Sequence, residues 1–250
     1  METKQMLQII ATDAKVKTTQ VDAVIKLLDD GNTVPFIARY RKEATGALDE
    51  VHIKTIEDRY HYIQQLEKRK EEVLRLIDEQ GKLTEQLAAD IQAATVLQRV
   101  EDLYRPYKQK RRTKATVAKE KGLEPLAAYL MKFAKEDIHA FASTFISEEK
   151  GVLSSDEALA GARDILAEQF ADDAAIRDQL RKLSWREGKI ESKVKDAEKD
   201  EKQIFEMYYE YEEQVSRIVP HRILAMNRGE KEDVLRISIA VPIDKAVALM

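Results

Sequence analysis

The spacing of apolar residues along the first half of the chain predicts a series of amphipathic helices. From residue 21 to residue 28, apolar side chains recur three and four positions apart, which is the spacing of one buried helical stripe. A glycine-containing turn follows at residues 31–33. Pro35 then fits the first turn of a second helix, because proline needs no backbone donor there. We expect three side chains of the second helix to pack on the stripe of the first: Phe36, Ile37 and Tyr40.

The longest apolar stripe begins at Asp49 and ends near Gly81. It predicts a single helix of about 30 residues, with a length of about 45 Å. Shorter stripes predict a helix capped by Thr84 and another capped by Ser154, which has a glutamate three positions later as in a capping box.

The second half of the chain has a weaker periodicity. Its most polar part, Trp185–Asp200, is either a mobile connection or a weak hairpin. Tyrosines 208, 209 and 211 are expected on a helix, and Pro220 is expected to begin another. Residues 234–241 alternate between apolar and polar side chains, which indicates a strand. This strand has no predicted partner and the last helix is short, so we expect the sequence to be part of a longer protein.

These patterns together predict a mainly all-α protein. We expect a multi-helix scaffold with a helix-turn-helix-like pair, one long helix and a small β element near the C-terminus. Only 8 glycines and 5 prolines in 250 residues agree with a high helix content. We divide the chain into a helical domain at residues 1–134, a second helical region at 135–222, and the start of an α/β element at 223–250.

The composition excludes several classes of site. The chain has no cysteine, and its four histidines lack the spacing of a metal-binding helix. It also has no phosphate-binding loop and no recognisable pair of nucleophile and base. We therefore predict that it is not an enzyme and has no cofactor and no small-molecule substrate. A signal peptide and apolar runs of about 20 residues are both absent from the sequence, which predicts a cytoplasmic protein without membrane contact.

One stretch departs from the acidic balance of 42 basic against 46 acidic residues. Between Tyr104 and Lys121 there are eight basic residues and one acid, Glu120, while Pro106 opposes a regular helix. Two interpretations remain open. The cations contact phosphates while tyrosines stack on bases, or the stretch is a solvated loop whose tyrosines pack inward. The candidate nucleic-acid contacts are Arg105, Lys108, Lys110, Arg111, Arg112 and Lys114, and the candidate stacking residues are Tyr104 and Tyr107.

The helix-turn-helix-like pair also has a basic end. A recognition helix reads bases mainly with its N-terminal residues. Those residues would be Pro35, Phe36 and Ile37, whose side chains form no hydrogen bonds. The sequence therefore favours a structural pair with a basic end over sequence-specific reading of a groove. The cations that come one turn later are further candidates for nucleic-acid contact: Arg39, Arg41 and Lys42.

Three long motifs resemble the bacterial Tex family. They are T-V-P-F-I-A-R-Y-R-K-E-A-T-G-A-L-D-E at residues 33–50, E-D-L-Y-R-P-Y-K-Q-K-R-R-T-K-A-T with K-E-K-G-L-E-P-L-A within residues 101–127, and P-H-R-I-L-A-M-N-R-G-E at residues 220–230. The resemblance implies a transcription accessory factor similar to the eukaryotic suppressor-of-Ty elongation factor. In that family a helical, helix-turn-helix-like N-terminal region precedes an RNase H-like domain that lacks catalytic residues, helix-hairpin-helix elements and an OB-fold RNA-binding domain.

We therefore expect a non-catalytic N-terminal scaffold of a nucleic-acid-binding transcription factor. Its basic surface would bind RNA or DNA without sequence preference, and RNA polymerase or other transcription machinery is a further expected partner. The alternative is an architectural or protein-interaction module, whose basic motif packs against other domains of the parent protein. Exposure of the side chains from Lys108 to Lys114 separates these two hypotheses.

Overall fold

The structure is a computed structural model of the chain, and it describes residues 2–132 and 137–249. In these ranges the chain is mainly helical, with a small antiparallel sheet near the C-terminus, which confirms the predicted fold class. The chain divides into two compact units, residues 1–107 and residues 108–250. The predicted boundary between residues 134 and 135 lies outside the described residues, and the domain division stays a prediction.

Short helices surround one long helix in the first unit. The carboxylate of Asp49 accepts a hydrogen bond from the backbone N of His52 at 2.9 Å, so the long helix begins where the sequence predicts. It has 29 residues. The helices are α1 (Thr3–Ala14), α2 (Thr18–Asp29), α3 (Val34–Tyr40), α4 (Lys42–Thr45), α5 (Glu50–Asp78), α6 (Glu85–Ala93) and α7 (Leu97–Tyr104), and a 3-10 turn follows at Arg105–Tyr107.

The core of the first unit is aliphatic. Helices α1, α2 and α3 pack against the N-terminal half of α5 through side chains such as Ile10, Val24 and Ile53. Further along α5, Lys70 interrupts the apolar stripe and is nevertheless buried. Its ammonium group donates to Glu67 Oε1 at 2.8 Å and to the carbonyl oxygen of Gln92 at 2.9 Å. These bonds satisfy a charge whose burial would otherwise be costly.

The packing of α3 differs in part from the sequence prediction. Ile37 is fully buried, as predicted, and Val34 is buried beside it, whereas Phe36 is 36% exposed and Tyr40 is 59% exposed. The prediction that Phe36 and Tyr40 pack on the α2 stripe is therefore wrong. A helix of seven residues buries one narrow stripe, and positions 34 and 37 already form it.

Helix α11 lies at the centre of the helical part of the second unit. Small side chains of α8, among them Ala115 and Ala118, let α8 approach α11 closely, and Leu123 packs beside them. Ser154 caps α11 by accepting from the backbone N of Glu157 at 3.2 Å, as predicted. The helices are α8 (Lys114–Glu120), α9 (Glu124–Met131), α10 (Ile138–Ser143), α11 (Ser155–Asp172), α12 (Ala174–Glu187), α13 (Pro220–Lys231) and α14 (Ile243–Val247). None of the helices in the described part of the chain has the length and apolar character needed to cross a membrane.

A three-stranded sheet completes the second unit. Its strands are β1 (Lys189–Val194), β2 (Glu210–Gln214) and β3 (Leu235–Ala240), in the order β2-β1-β3 with both pairs antiparallel. Helix α13 packs against β3, and Phe205, Met226 and Leu235 form the core between them. The predicted strand at residues 234–241 is therefore present, and its partner is β1.

Two predictions for the region around this sheet are wrong. The segment Trp185–Asp200 is neither a mobile connection nor a weak hairpin, because it contains the end of α12 and the central strand β1. The tyrosines at 208, 209 and 211 lie on a 3-10 turn and on β2 rather than on an α-helix. The charged sequence of β1 is explained by a sheet whose core lies on one face, since Ser192 is buried while Lys189 and Lys193 remain exposed.

Candidate nucleic-acid interface

The second unit begins with residues 108–114, which we call the basic segment. It has no regular structure until Lys114, the first residue of α8. Thr113 caps α8 by accepting from the backbone N of Thr116 at 3.1 Å, and its hydroxyl also donates to Glu168 Oε1 at 3.0 Å. One end of the segment is thereby fixed to α11.

Lys110 provides a second attachment to α11. Its ammonium group forms a salt bridge with Asp172 and lies 3.5 Å from Glu168 Oε1. The side chains of Asp172 and Glu168 are only 13% and 18% exposed, so the acidic partners are largely shielded from water. The side chain of Lys110 is therefore engaged in holding the segment in place.

Other cations of the basic segment are presented to solvent. Lys108, Arg111 and Lys114 are exposed, and none of them forms a salt bridge with residues 108–132 or 137–249. Arg112 pairs with Glu120 at 2.7 Å, but this pair is open to water at 69% and 53% side-chain exposure. Such an exposed pair contributes little to stability and competes weakly with another anion.

The tyrosines and the arginine that precede the basic segment belong to the first unit. Tyr104 is only 8% exposed, so burial keeps its ring from stacking on a base. The guanidinium of Arg69 lies 5.4 Å from the centre of this buried ring. Tyr104 therefore packs inward, as the second interpretation expects of its tyrosines. Tyr107 is half-buried, and its carbonyl oxygen accepts from Gln80 Nε2 at 3.0 Å; Arg105 is exposed.

Arg69 is itself held tightly. Its guanidinium donates to Glu101 Oε1 at 2.6 Å and to Glu72 Oε2 at 2.7 Å. The hydrogen bond to Glu101 is the main reason why the pKa of Arg69 is raised above its ordinary value. A permanently charged and fixed group therefore covers the ring of Tyr104.

The end of α3 and the start of α4 present a second group of cations, in the first unit. Arg39, Arg41 and Lys42 are exposed, and within residues 2–107 none of them pairs with a carboxylate. The guanidinium of Arg41 lies 5.0 Å from the ring centre of Phe36, and that of Arg39 lies 5.9 Å from the ring centre of Tyr40. Sequence reasoning assigned Phe36 and Tyr40 to the core and so missed them. Their position outside the stripe at 34 and 37, beside two arginines, was the available signal.

Two protein-family models match most of the chain. Residues 4–78 match the Tex-like protein N-terminal domain, and residues 134–248 match the Tex central region-like domain. The chain belongs to the Tex family. Arg39, Arg41 and Lys42 lie inside the first matched range, whereas the basic segment lies between the two ranges.

Similarity to individual Tex relatives extends over nearly the whole chain. It is 54% identical to the protein YdcI of Bacillus subtilis (strain 168) over 253 residues, which covers 100% of this chain and 35% of that protein. It is 45% identical over 232 residues to the transcriptional accessory protein Tex of Neisseria gonorrhoeae, covering 93% of this chain and 30% of that protein. It is also similar to the human S1 RNA-binding domain-containing protein 1, at 28% identity over 243 residues, covering 94% and 24%. The chain thus spans about a third or less of the length of these relatives.

Proposed function

We propose that this chain is a non-catalytic scaffold of a cytoplasmic transcription accessory factor, to which it contributes a basic surface for sequence-tolerant contact with RNA or DNA. The printed names of two relatives support this proposal, one being a transcriptional accessory protein and the other an S1 RNA-binding domain-containing protein. RNA polymerase and other transcription machinery are the protein partners that fit such a role.

The observation that carries the proposal is that the cations of the basic segment differ in whether they pair with acidic side chains. Lys110 is engaged with acidic side chains of α11, while Lys108, Arg111 and Lys114 remain exposed without acidic partners in the described part of their unit. Like charges on a fixed backbone repel one another, and a phosphate chain relieves that repulsion while releasing its counterions.

The position of Lys114 strengthens this argument. It is the first residue of α8, where the helix dipole disfavours a positive charge by about 0.3–1 kcal/mol. Helix stability therefore does not explain the presence of a lysine at this position.

The second candidate function is an architectural or protein-interaction module. The salt bridge of Lys110 with Asp172 favours it, because it gives one cation of the segment a role in packing. Under this hypothesis the exposed cations contact acidic groups on other domains of the parent protein or on the transcription machinery.

A binding titration on the 250-residue chain separates the two candidates. A labelled single strand and a labelled duplex are titrated at low salt with the wild type and with the triple variant Lys108→Ala, Arg111→Ala and Lys114→Ala. We expect weaker binding of both probes by the triple variant and an unchanged melting temperature. Unchanged binding of both probes by the triple variant would contradict nucleic-acid contact by these cations and support the architectural module instead.

A further inference from the structure

Helix α3 leaves two aromatic residues exposed, Phe36 at 36% and Tyr40 at 59%. Val34 and Ile37 supply the buried contacts of the helix, and the rings of Phe36 and Tyr40 lie in contact outside them, with centres 5.2 Å apart and planes inclined at 49°. Single exposed apolar residues are common on protein surfaces. Two large rings in contact on a helix of seven residues form a continuous aromatic surface and call for a further explanation.

Cations frame this aromatic surface. The guanidinium of Arg41 lies 5.0 Å from the ring centre of Phe36, and that of Arg39 lies 5.9 Å from the ring centre of Tyr40, which is within the range of cation–π attraction. Together with Lys42, the two arginines have no carboxylate partner within residues 2–107. The surface therefore combines planar rings, planar guanidinium groups and unneutralised positive charge.

These features define the ligand by its chemistry. The electron-rich face of a ring attracts cations and stacks on planar groups, so it does not attract a bare carboxylate. A nucleotide offers both a planar base for the rings and a phosphate for the cations. The base must be unpaired, because in a duplex its faces are covered by its neighbours.

We propose that Phe36 and Tyr40 form a stacking site for the bases of single-stranded nucleic acid, and that Arg39, Arg41 and Lys42 contact the adjoining phosphates. This inference rests on the proposed function and deepens it, since it adds a preference for unpaired strands and places it in the first unit. The rings contact the ligand directly, and the cations hold its backbone.

The test uses the 250-residue chain and two labelled strands of equal length, oligo-dT and the same backbone without bases. The variants are Phe36→Ala with Tyr40→Ala, Phe36→Leu with Tyr40→Leu, and Phe36→Trp alone. The leucine pair keeps apolar surface but lacks rings, and the tryptophan keeps a ring. Affinities come from fluorescence anisotropy, and melting curves establish that each variant is folded.

We expect both ring-free pairs to bind oligo-dT about 5- to 100-fold more weakly than wild type, and Phe36→Trp to bind it equally well. Binding of the base-free strand should be the same for all variants. A ring-free pair that binds oligo-dT as wild type does would overturn the inference, and so would a leucine pair that retains full affinity. Polyglutamate competition that depends on the rings would also overturn it, in favour of an acidic protein partner.

A second readout does not depend on the ring-free variants. In a Trp185→Phe background, the tryptophan introduced by Phe36→Trp should be quenched by oligo-dT and not by the base-free strand. Equal quenching by both strands, or none, contradicts stacking. Failure of the wild type to bind any strand would remove the proposed function as well. Binding that falls in the basic-segment triple variant but not in the ring-free pairs would remove only the stacking site.

Discussion

The ammonium group of Lys110 forms a salt bridge with the carboxylate of Asp172, 62 positions further along the chain. This contact distinguishes Lys110 from Lys108 and Arg111, which the sequence presents as equivalent members of one basic run. The basic segment therefore contains cations with two different roles, one of attachment and one of exposure to ligands.

Removal of the paired Lys110 and removal of the exposed Arg111 should affect stability differently. Lys110→Met should lower the free energy of unfolding by about 1 kcal/mol, the upper range for an exposed pair, because it removes a cation from two largely shielded carboxylates, although Glu168 keeps Lys119 at 3.6 Å. Arg111→Met should change it by less than about 0.5 kcal/mol. Urea denaturation measures both. Equal effects would mean that the salt bridge with Asp172 is not maintained in solution.

Truncation of two neighbouring residues of α3 should lower the free energy of unfolding by different amounts. Ile37→Ala should cost about 2–5 kcal/mol, because it leaves a cavity in the core of the first unit. Phe36→Ala should cost less, about 1–2 kcal/mol, since Phe36 is 36% exposed and only part of its side chain is buried. Thermal or chemical denaturation of the two variants checks this. A loss of stability for Phe36→Ala as large as that for Ile37→Ala would mean that the ring packs in the core, which would contradict the stacking site.

The contact between α8 and α11 depends on a glycine. A Cβ atom at Gly161 would lie 2.4 Å from Leu123 Cδ1 and 3.3 Å from Ala118 Cβ. Leu123 and Ala118 are buried, so Gly161→Ala should overpack this contact and cost about 1–3 kcal/mol. Ala160→Ser, on the exposed side of the same helix, is the matched control and should cost about 0.5 kcal/mol or less. A more stable Gly161→Ala variant would contradict overpacking at this contact.

The turn between α13 and β3 gives a prediction for acidic pH. Hydrogen bonds from Lys195 and then Lys199 hold the pKa of Asp233 at about 2, below its ordinary value of 3.8. Because the folded pKa is the lower one, this carboxylate stabilises the fold fully above about pH 4, and the contribution is lost as pH falls from 3.8 towards 2. Carboxyl NMR titration should give the low pKa in the wild type and a value near 3.8 in the Lys195→Met, Lys199→Met variant. Identical titrations would contradict the pairing.

The predictable part of the fold is the part set by short-range chemistry. Helices α2 and α5 follow from apolar spacing, and the caps Asp49 and Ser154 follow from hydrogen bonds that span three residues. Strand β1 was missed because its residues are charged on the open face of the sheet, and its partners lie at β2 and β3, much later in the chain. The alternation of apolar and polar residues within one strand does not indicate which distant strands it pairs with.

The candidate site was predictable in residue type but not in role. The density of cations in the basic segment is visible in the sequence. Which of them are engaged depends on α11, and the burial of Tyr104 depends on Arg69 of α5. Exposure of Phe36 likewise follows from tertiary packing, since its apolar character alone assigned it to the core.

The most direct test of the central proposal is the salt dependence of single-strand binding by the 250-residue chain. Each phosphate contact adds a slope of about −0.7 to log affinity against log salt. We predict that the triple variant Lys108→Ala, Arg111→Ala and Lys114→Ala flattens the slope by about two units, at an unchanged melting temperature. A control with the same change in charge, Lys4→Ala, Lys82→Ala and Lys202→Ala at exposed sites elsewhere, should leave the slope as in the wild type. An unchanged slope in the basic-segment variant, or an equal flattening in the control, would contradict a phosphate-binding role for the basic segment.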